Sequence, residues 1–183
     1  MDLQEEKLRE INRYQGIIVD LYVDQVRLPD GSESYREVVI HPGGACVLPV
    51  DEEGYAWVEH QFRYPMREVL LEAPAGKIEP GEDPALCAAR ELKEETGLVA
   101  GEMILLGEYY TSPGYSTELL RIYLARDLKA GRSRPDPGEF LQLERIPYDT
   151  LLAMAERGEI RDAKTAVAIL QARPYLRDAA AQE

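Results

Sequence analysis

The sequence predicts an α+β fold in which a mixed β-sheet is sandwiched between helices, an α/β/α arrangement. Three observations carry that expectation: short apolar runs of strand length recur between Asp/Gly turns, one sharply delimited helix interrupts them near the middle, and two helical patterns follow the last strand. At 183 residues the chain suits one folding unit with a full core.

The first residues are polar and amphipathic. Two extended runs follow, 15–26 and 33–40, joined by a turn at Asp30-Gly31, so that residues 1–40 form an N-terminal antiparallel extension ahead of a main domain over 41–183. The apolar run 45–50, the turn 51–54 and the run 55–62 read as strands of a central sheet, with Trp57 expected in the core. A short strand over 69–72 leads into a loop over 73–81 and then a helix over 84–96. Further strands fit 108–111, 119–125 and 140–146, and helices fit 148–157 and 163–172. The Pro/Gly-rich segment 131–138 reads as a loop, and no internal repeat is present.

Charge narrows the function. A formal charge of -13 and a pI near 4.7 would repel nucleic acid and anionic membrane surfaces, so a polyanionic substrate would bring cations with it. No apolar h-region opens the chain and no run approaches the ~18 residues that span a bilayer, which predicts a soluble, cytoplasmic protein. Cys46 and Cys87 lack any CxxC or metal spacing and are expected to be buried, reduced thiols. His41 and His60 accompany no serine or cysteine nucleophile motif. Carboxylates are left to carry the chemistry.

The central helix concentrates them. Asp83 suits the N-cap, Pro84 the first helical position and Gly97 the left-handed terminator. At 100° per residue Ala85, Ala88, Ala89 and Leu92 face the sheet, while Glu91, Glu94 and Glu95 share another side. Acids at i, i+3 and i+4 repel by about 0.2–0.5 kcal/mol per pair. Most acidic faces are simply solvated, but magnesium, a hard cation that takes carboxylate, phosphate and water oxygens, would compensate these.

The surroundings favour the cation. From Gly76 the chain reads five residues, Glu82, seven residues, Arg90-Glu91, Leu92, one residue, Glu94-Glu95, one residue, Gly97 and Leu98. This spacing resembles the Nudix box at every fixed position. The resemblance implies a Nudix fold and a magnesium-dependent hydrolase, manganese being a possible substitute. It makes Glu91, Glu94, Glu95 and the Ala75 carbonyl the metal ligands, with Glu91 and Glu95 central. Arg90 would organise the acids, Glu82 would brace the loop, and Cys87 would only pack. Water would attack phosphorus in a diphosphate, with Glu139 as the general base and Asp136 as its competitor.

Outside the box, LLEAPAGKIEPGED, HQFRYP and TSPGYSTE (111–118, with Pro113 following Leu98 by 15 residues) resemble segments of the ADP-ribose pyrophosphatase subfamily, and IRDAKTAVAIL resembles its last helix. That likeness implies cleavage of ADP-ribose to AMP and ribose 5-phosphate. Arg63 would contact a phosphate, with Arg36 a second candidate, and Glu118 or the backbone of Ser112 and Gly114 would face the terminal ribose. Tyr115 either stacks or packs. Relatives of this kind are homodimers whose N-terminal strands complete a base pocket. Tyr14, Tyr22 and Tyr35 are the aromatics on offer here, without a tryptophan. The alternatives are another nucleoside diphosphate sugar, such as ADP-glucose or GDP-mannose, or a non-catalytic ADP-ribose sensor. A sensor would lack box acids, which are all present.

Overall fold

In the computed structural model, which describes residues 2–134, 138 and 140–180 (177–180 by backbone alone), ten strands and three helices follow the chain. They are β1 (Glu6–Gln15), β2 (Asp20–Arg27), β3 (Glu33–Ile40), β4 (Gly44–Pro49), β5 (Tyr55–Arg63), β6 (Glu68–Glu72) and β7 (Ala75–Lys77). Next come α1 (Pro84–Glu91), a π-helical turn (Leu92–Thr96), β8 (Leu98–Tyr110), β9 (Leu119–Ala130), β10 (Leu141–Pro147), α2 (Tyr148–Glu156) and α3 (Ala163–Ala180).

Alternation along β4 and β9 builds the layers. Every residue of β4 is buried, as expected of a strand covered on both faces. It lies between β7, antiparallel, and β9, parallel, in the order β7-β4-β9-β8. Ala45, Val47, Tyr123 and Ala125 point to one side and pack on Cys87, Ala88 and Leu92 of the central helix. Cys46, Leu48, Ile122 and Leu124 point to the other and pack on α2 and α3 through Leu151, Leu152, Ala168 and Ile169. The Tyr148 hydroxyl donates to the Ile169 carbonyl at 2.7 Å and ties those two helices together. The predicted α/β/α sandwich is therefore present, and a second antiparallel sheet, β10-β5-β6, extends it.

Residue contacts divide the chain into two units. The layers above belong to Gly44–Tyr109 with Leu120–Glu183, and the other unit comprises Met1–Gly43 with Tyr110–Leu119. Within the latter, β1-β2-β3 form an antiparallel sheet, and Val39 exchanges backbone hydrogen bonds with Tyr115 (2.7 Å) and Thr117 (3.0 Å).

Several elements differ from expectation. Residues 6–15 form a strand although charges occupy half of its positions. β1 is the edge strand and almost entirely exposed, so no apolar alternation was needed to place it. The loop over 73–81 contains β7, a strand too short to show a period. Trp57 is half-buried rather than core. The helix expected over 84–96 is α-helical only to Glu91 and then widens by a π-turn. α3 runs past residue 172 to Ala180, through Pro174.

Candidate active site

Local chemistry fixes the central helix at both ends. The Asp83 carboxylate accepts from the Ala85 N–H at 2.8 Å and Pro84 opens the first turn. Gly97, at φ 76°, closes the last one. The carbonyls left open there are satisfied from a distant segment: Ser133 Oγ lies 3.0 Å from the Glu94 carbonyl and 3.1 Å from that of Glu95, and the Arg134 N–H donates to Glu94 at 2.8 Å. The approach is so close that a Cβ on Gly97 would stand 2.7 Å from the Ser133 nitrogen.

Arg90 gathers the acids. Its Nε and Nη2 hold the two Glu82 oxygens at 2.9 and 3.1 Å, and Nη1 donates to Glu91 at 2.7 Å and Glu94 at 3.0 Å. Nη2 also reaches the Lys77 carbonyl at 3.3 Å, which ties the loop to the helix. The guanidinium, with help from the Glu79 N–H, holds the Glu82 carboxyl down to about 2. Its acidic neighbours in turn raise the already high pKa of Arg90.

Glu95 is buried, and its Oε2 accepts the Ala75 N–H at 3.1 Å. The Glu91 carboxylate lies directly against Gly76, where any Cβ would overlap it. Glu94 is the most exposed of the three. As donors these are all hard oxygens, the type magnesium selects. Among the described residues no three acidic, histidine or cysteine side chains close a metal cage by themselves. Magnesium ordinarily takes one or two carboxylates and leaves its remaining positions to water and substrate phosphate, so the residues present fit that ion as a partial shell. Beside α1 a groove of about 800 Å³ carries Arg90, Lys93, Arg132 and Arg134, a local excess of positive charge in an acidic chain.

The other expected residues fall in different places. Arg63, at the end of β5, makes a two-toothed ion pair with buried Glu72, at 2.6 and 2.7 Å. Arg36, Ser112, Gly114 and Glu118 belong to the unit that holds the N-terminal strands. There Arg36 pairs with Glu5 at 2.6 and 2.9 Å, and Glu118 accepts the Thr111 hydroxyl at 2.6 Å. The Ser112 carbonyl accepts the N–H groups of Tyr115 and Ser116, and Gly114 has open space around it. Tyr115 is exposed. Glu139 and Asp136 lie outside the described residues. Both cysteines are free and buried, with their thiols pushed up to about 12 by burial. Sequence reasoning did not find Ser133, whose partners stand 38 and 39 positions away. No local pattern announces such a contact. Among the described residues no helix is long and apolar enough to cross a membrane.

An acid-bearing helix held by one arginine against a glycine loop, on one face of an α/β/α sandwich, defines a class. The chain belongs to the Nudix family: the model described as NUDIX domain matches residues 40–167. An ADP-ribose pyrophosphatase of Bacillus subtilis (strain 168) is 40% identical over 169 residues, which covers 91% of each protein. A methanol dehydrogenase activator of Bacillus methanolicus is 37% identical over 168 residues, again 91% of each. A crystal structure described as an ADP compounds hydrolase shares the fold, with a TM-score of 0.85 over 97% of both chains at 22% identity.

Proposed function

We propose that this Nudix protein hydrolyses the pyrophosphate bond of ADP-ribose and releases AMP and ribose 5-phosphate. The observation that carries the reading is the 40% identity, along 91% of both chains, to a protein named ADP-ribose pyrophosphatase. The complete set of box residues supports catalysis over mere binding.

Magnesium, or manganese in its place, would be held by Glu91, Glu94, Glu95 and the Ala75 carbonyl. When bound it neutralises phosphate oxygens and lowers the pKa of a water. The chain's own residues do the rest. Arg90 spaces the carboxylates, and Ala75 orients Glu95. Arg63 offers a guanidinium already fixed along one edge to a phosphate oxygen. Glu139 is the proposed acceptor of the proton as water oxygen bonds to phosphorus and the bridging P–O bond breaks. Two free, buried thiols suit a reducing compartment, the cytoplasm. We further propose that the working form is a homodimer.

The test is a hydrolysis panel with magnesium and identified products, covering ADP-ribose, ADP-glucose, GDP-mannose, UDP-glucose, diadenosine polyphosphates and 8-oxo-dGTP. ADP-ribose should be preferred and yield AMP. Preference for another nucleoside diphosphate sugar would move the substrate assignment within the same chemistry, and cleavage of none would end it.

A further inference from the structure

Four consecutive residues, 72–75, connect Arg63 to the acidic helix, and each is gripped by a different partner. The Glu72 carboxylate is held by Arg63 and by Lys164. The Ala73 N–H donates to the Thr165 hydroxyl at 2.8 Å, the Pro74 carbonyl accepts from Val47 at 2.9 Å, and the Ala75 N–H donates to Glu95. Two of these partners come from the first turn of α3, which the reaction outlined above does not use.

That turn is itself built around one acid. Asp162 accepts from the Thr165 N–H at 3.0 Å, from the Thr165 hydroxyl at 2.5 Å and from Lys164 Nζ at 3.0 Å. Thr165 is fully buried, and the Lys164 side chain is only 12% exposed. A nearly buried ammonium between two carboxylates is costly to assemble unless both contacts are made. Here both are made.

The geometry gives this lysine a task. Arg63 spends Nε and Nη2 on Glu72, its side chain stays 36% exposed, and among the described residues Nη1 has no hydrogen-bond partner. Were Glu72 balanced by Arg63 alone, its full negative charge would fall on that guanidinium and oppose its hold on a phosphate. Lys164 takes a share of the charge. We propose that Lys164 is a positioning residue for hydrolysis: it holds and neutralises Glu72 so that Arg63 is fixed along one edge and open to a substrate phosphate along the other. This rests on the reading of Arg63 as a phosphate contact. Burial by itself would push the Glu72 carboxyl up, yet Arg63 and Lys164 bring it below its ordinary value. Burial would likewise lower Lys164, and the charges of Asp162 and Glu72 outweigh it.

The experiment compares wild type, K164M, K164R, R63A and R63A/K164M by kcat and KM for ADP-ribose. It adds the exchange rate of the Arg63 Nε–H followed by NMR. K164M should raise KM by about tenfold with kcat changed far less, the loss of one hydrogen bond to a charged group. K164R should restore most of it. In the R63A background the K164M effect on KM should vanish, and the Arg63 Nε–H should exchange slowly in wild type and quickly in K164M. Additive effects, or an Arg63 proton equally protected without Lys164, would overturn the proposal. If K164M does not fold, E72Q/K164M removes the stranded carboxylate, and a normal KM there overturns it as well. Failure of wild type to cleave ADP-ribose sinks the substrate assignment, while the Arg63 exchange rate still decides the role of Lys164.

Discussion

Glu95 is 2% exposed, and such a carboxylate is kept by a fold only where its charge is used or matched. Glu95→Gln keeps the shape and an oxygen for the Ala75 N–H but removes the charge. Turnover should fall by about a hundredfold or more while circular dichroism and the melting temperature stay near wild type. Near-normal magnesium-dependent activity would show that the ligand assignment is mistaken. A second prediction concerns Glu82, whose carboxyl sits at about 2 instead of the ordinary 4.5 because Arg90 and the Glu79 N–H hold its charged form. A depressed carboxyl stabilises the fold fully above its unfolded value, and that contribution disappears as pH falls through the folded one. Melting temperatures of wild type should therefore drop between pH 4.5 and 2, with a shallower drop in Glu82→Gln. Equal slopes would mean that the Arg90–Glu82 pair contributes nothing to acid stability.

At the scale of the element, Gly81 and Gly97 form a natural control. Both have left-handed backbones, φ 80° and 76°, but a Cβ on Gly81 meets open space whereas one on Gly97 meets the backbone of Ser133. Gly81→Ala should cost about 1 kcal/mol from backbone strain alone. Gly97→Ala adds a collision with rigid backbone and should cost about 2–3 kcal/mol in urea unfolding, with activity reduced because Ser133 can no longer cap Glu94 and Glu95. Equal costs would show that residues 131–134 yield easily. The ends of this helix were legible because caps are local chemistry: Asp83, Pro84 and Gly97 act on their own neighbours. The buried strands β4 and β9 were legible for a similar reason, since a short apolar run bounded by turn residues is written into the strand itself. What stayed hidden depends on partners far along the chain. Nothing near Lys164 says that it meets Glu72, nothing near Ser133 says that it meets Glu94, and the charged residues of β1 become a strand only because β2 offers a ladder.

For the whole molecule, the N-terminal sheet is the part that lacks a reason to be stable alone. Of the residues in β1, β2 and β3 only Val26 is buried, while Tyr14 and Tyr35 are exposed and Ile17, in the adjoining turn, is 98% exposed. Three strands hold together when one face is covered. Exposed ion pairs such as Lys7–Glu10, Arg27–Glu6 and Arg36–Glu5 are screened by solvent and cannot replace that cover. In the other unit Phe62 and Val69, opposite each other in β5 and β6, also expose apolar side chains. A second copy of the chain would supply the missing surface, and a stable dimer of ordinary size needs about 800 Å² from each partner. Light scattering at micromolar concentration should therefore give twice the chain mass of 20.7 kDa, and Ile17→Asp combined with Tyr35→Asp should shift it toward one copy. The hydrogen-exchange protection of β1 amides should fall in step with dilution, because cover from a partner is lost when the partner leaves. A single-copy mass at every concentration, with those amides still slow to exchange, would mean that the sheet stands without a second chain and that the homodimer is not the working form.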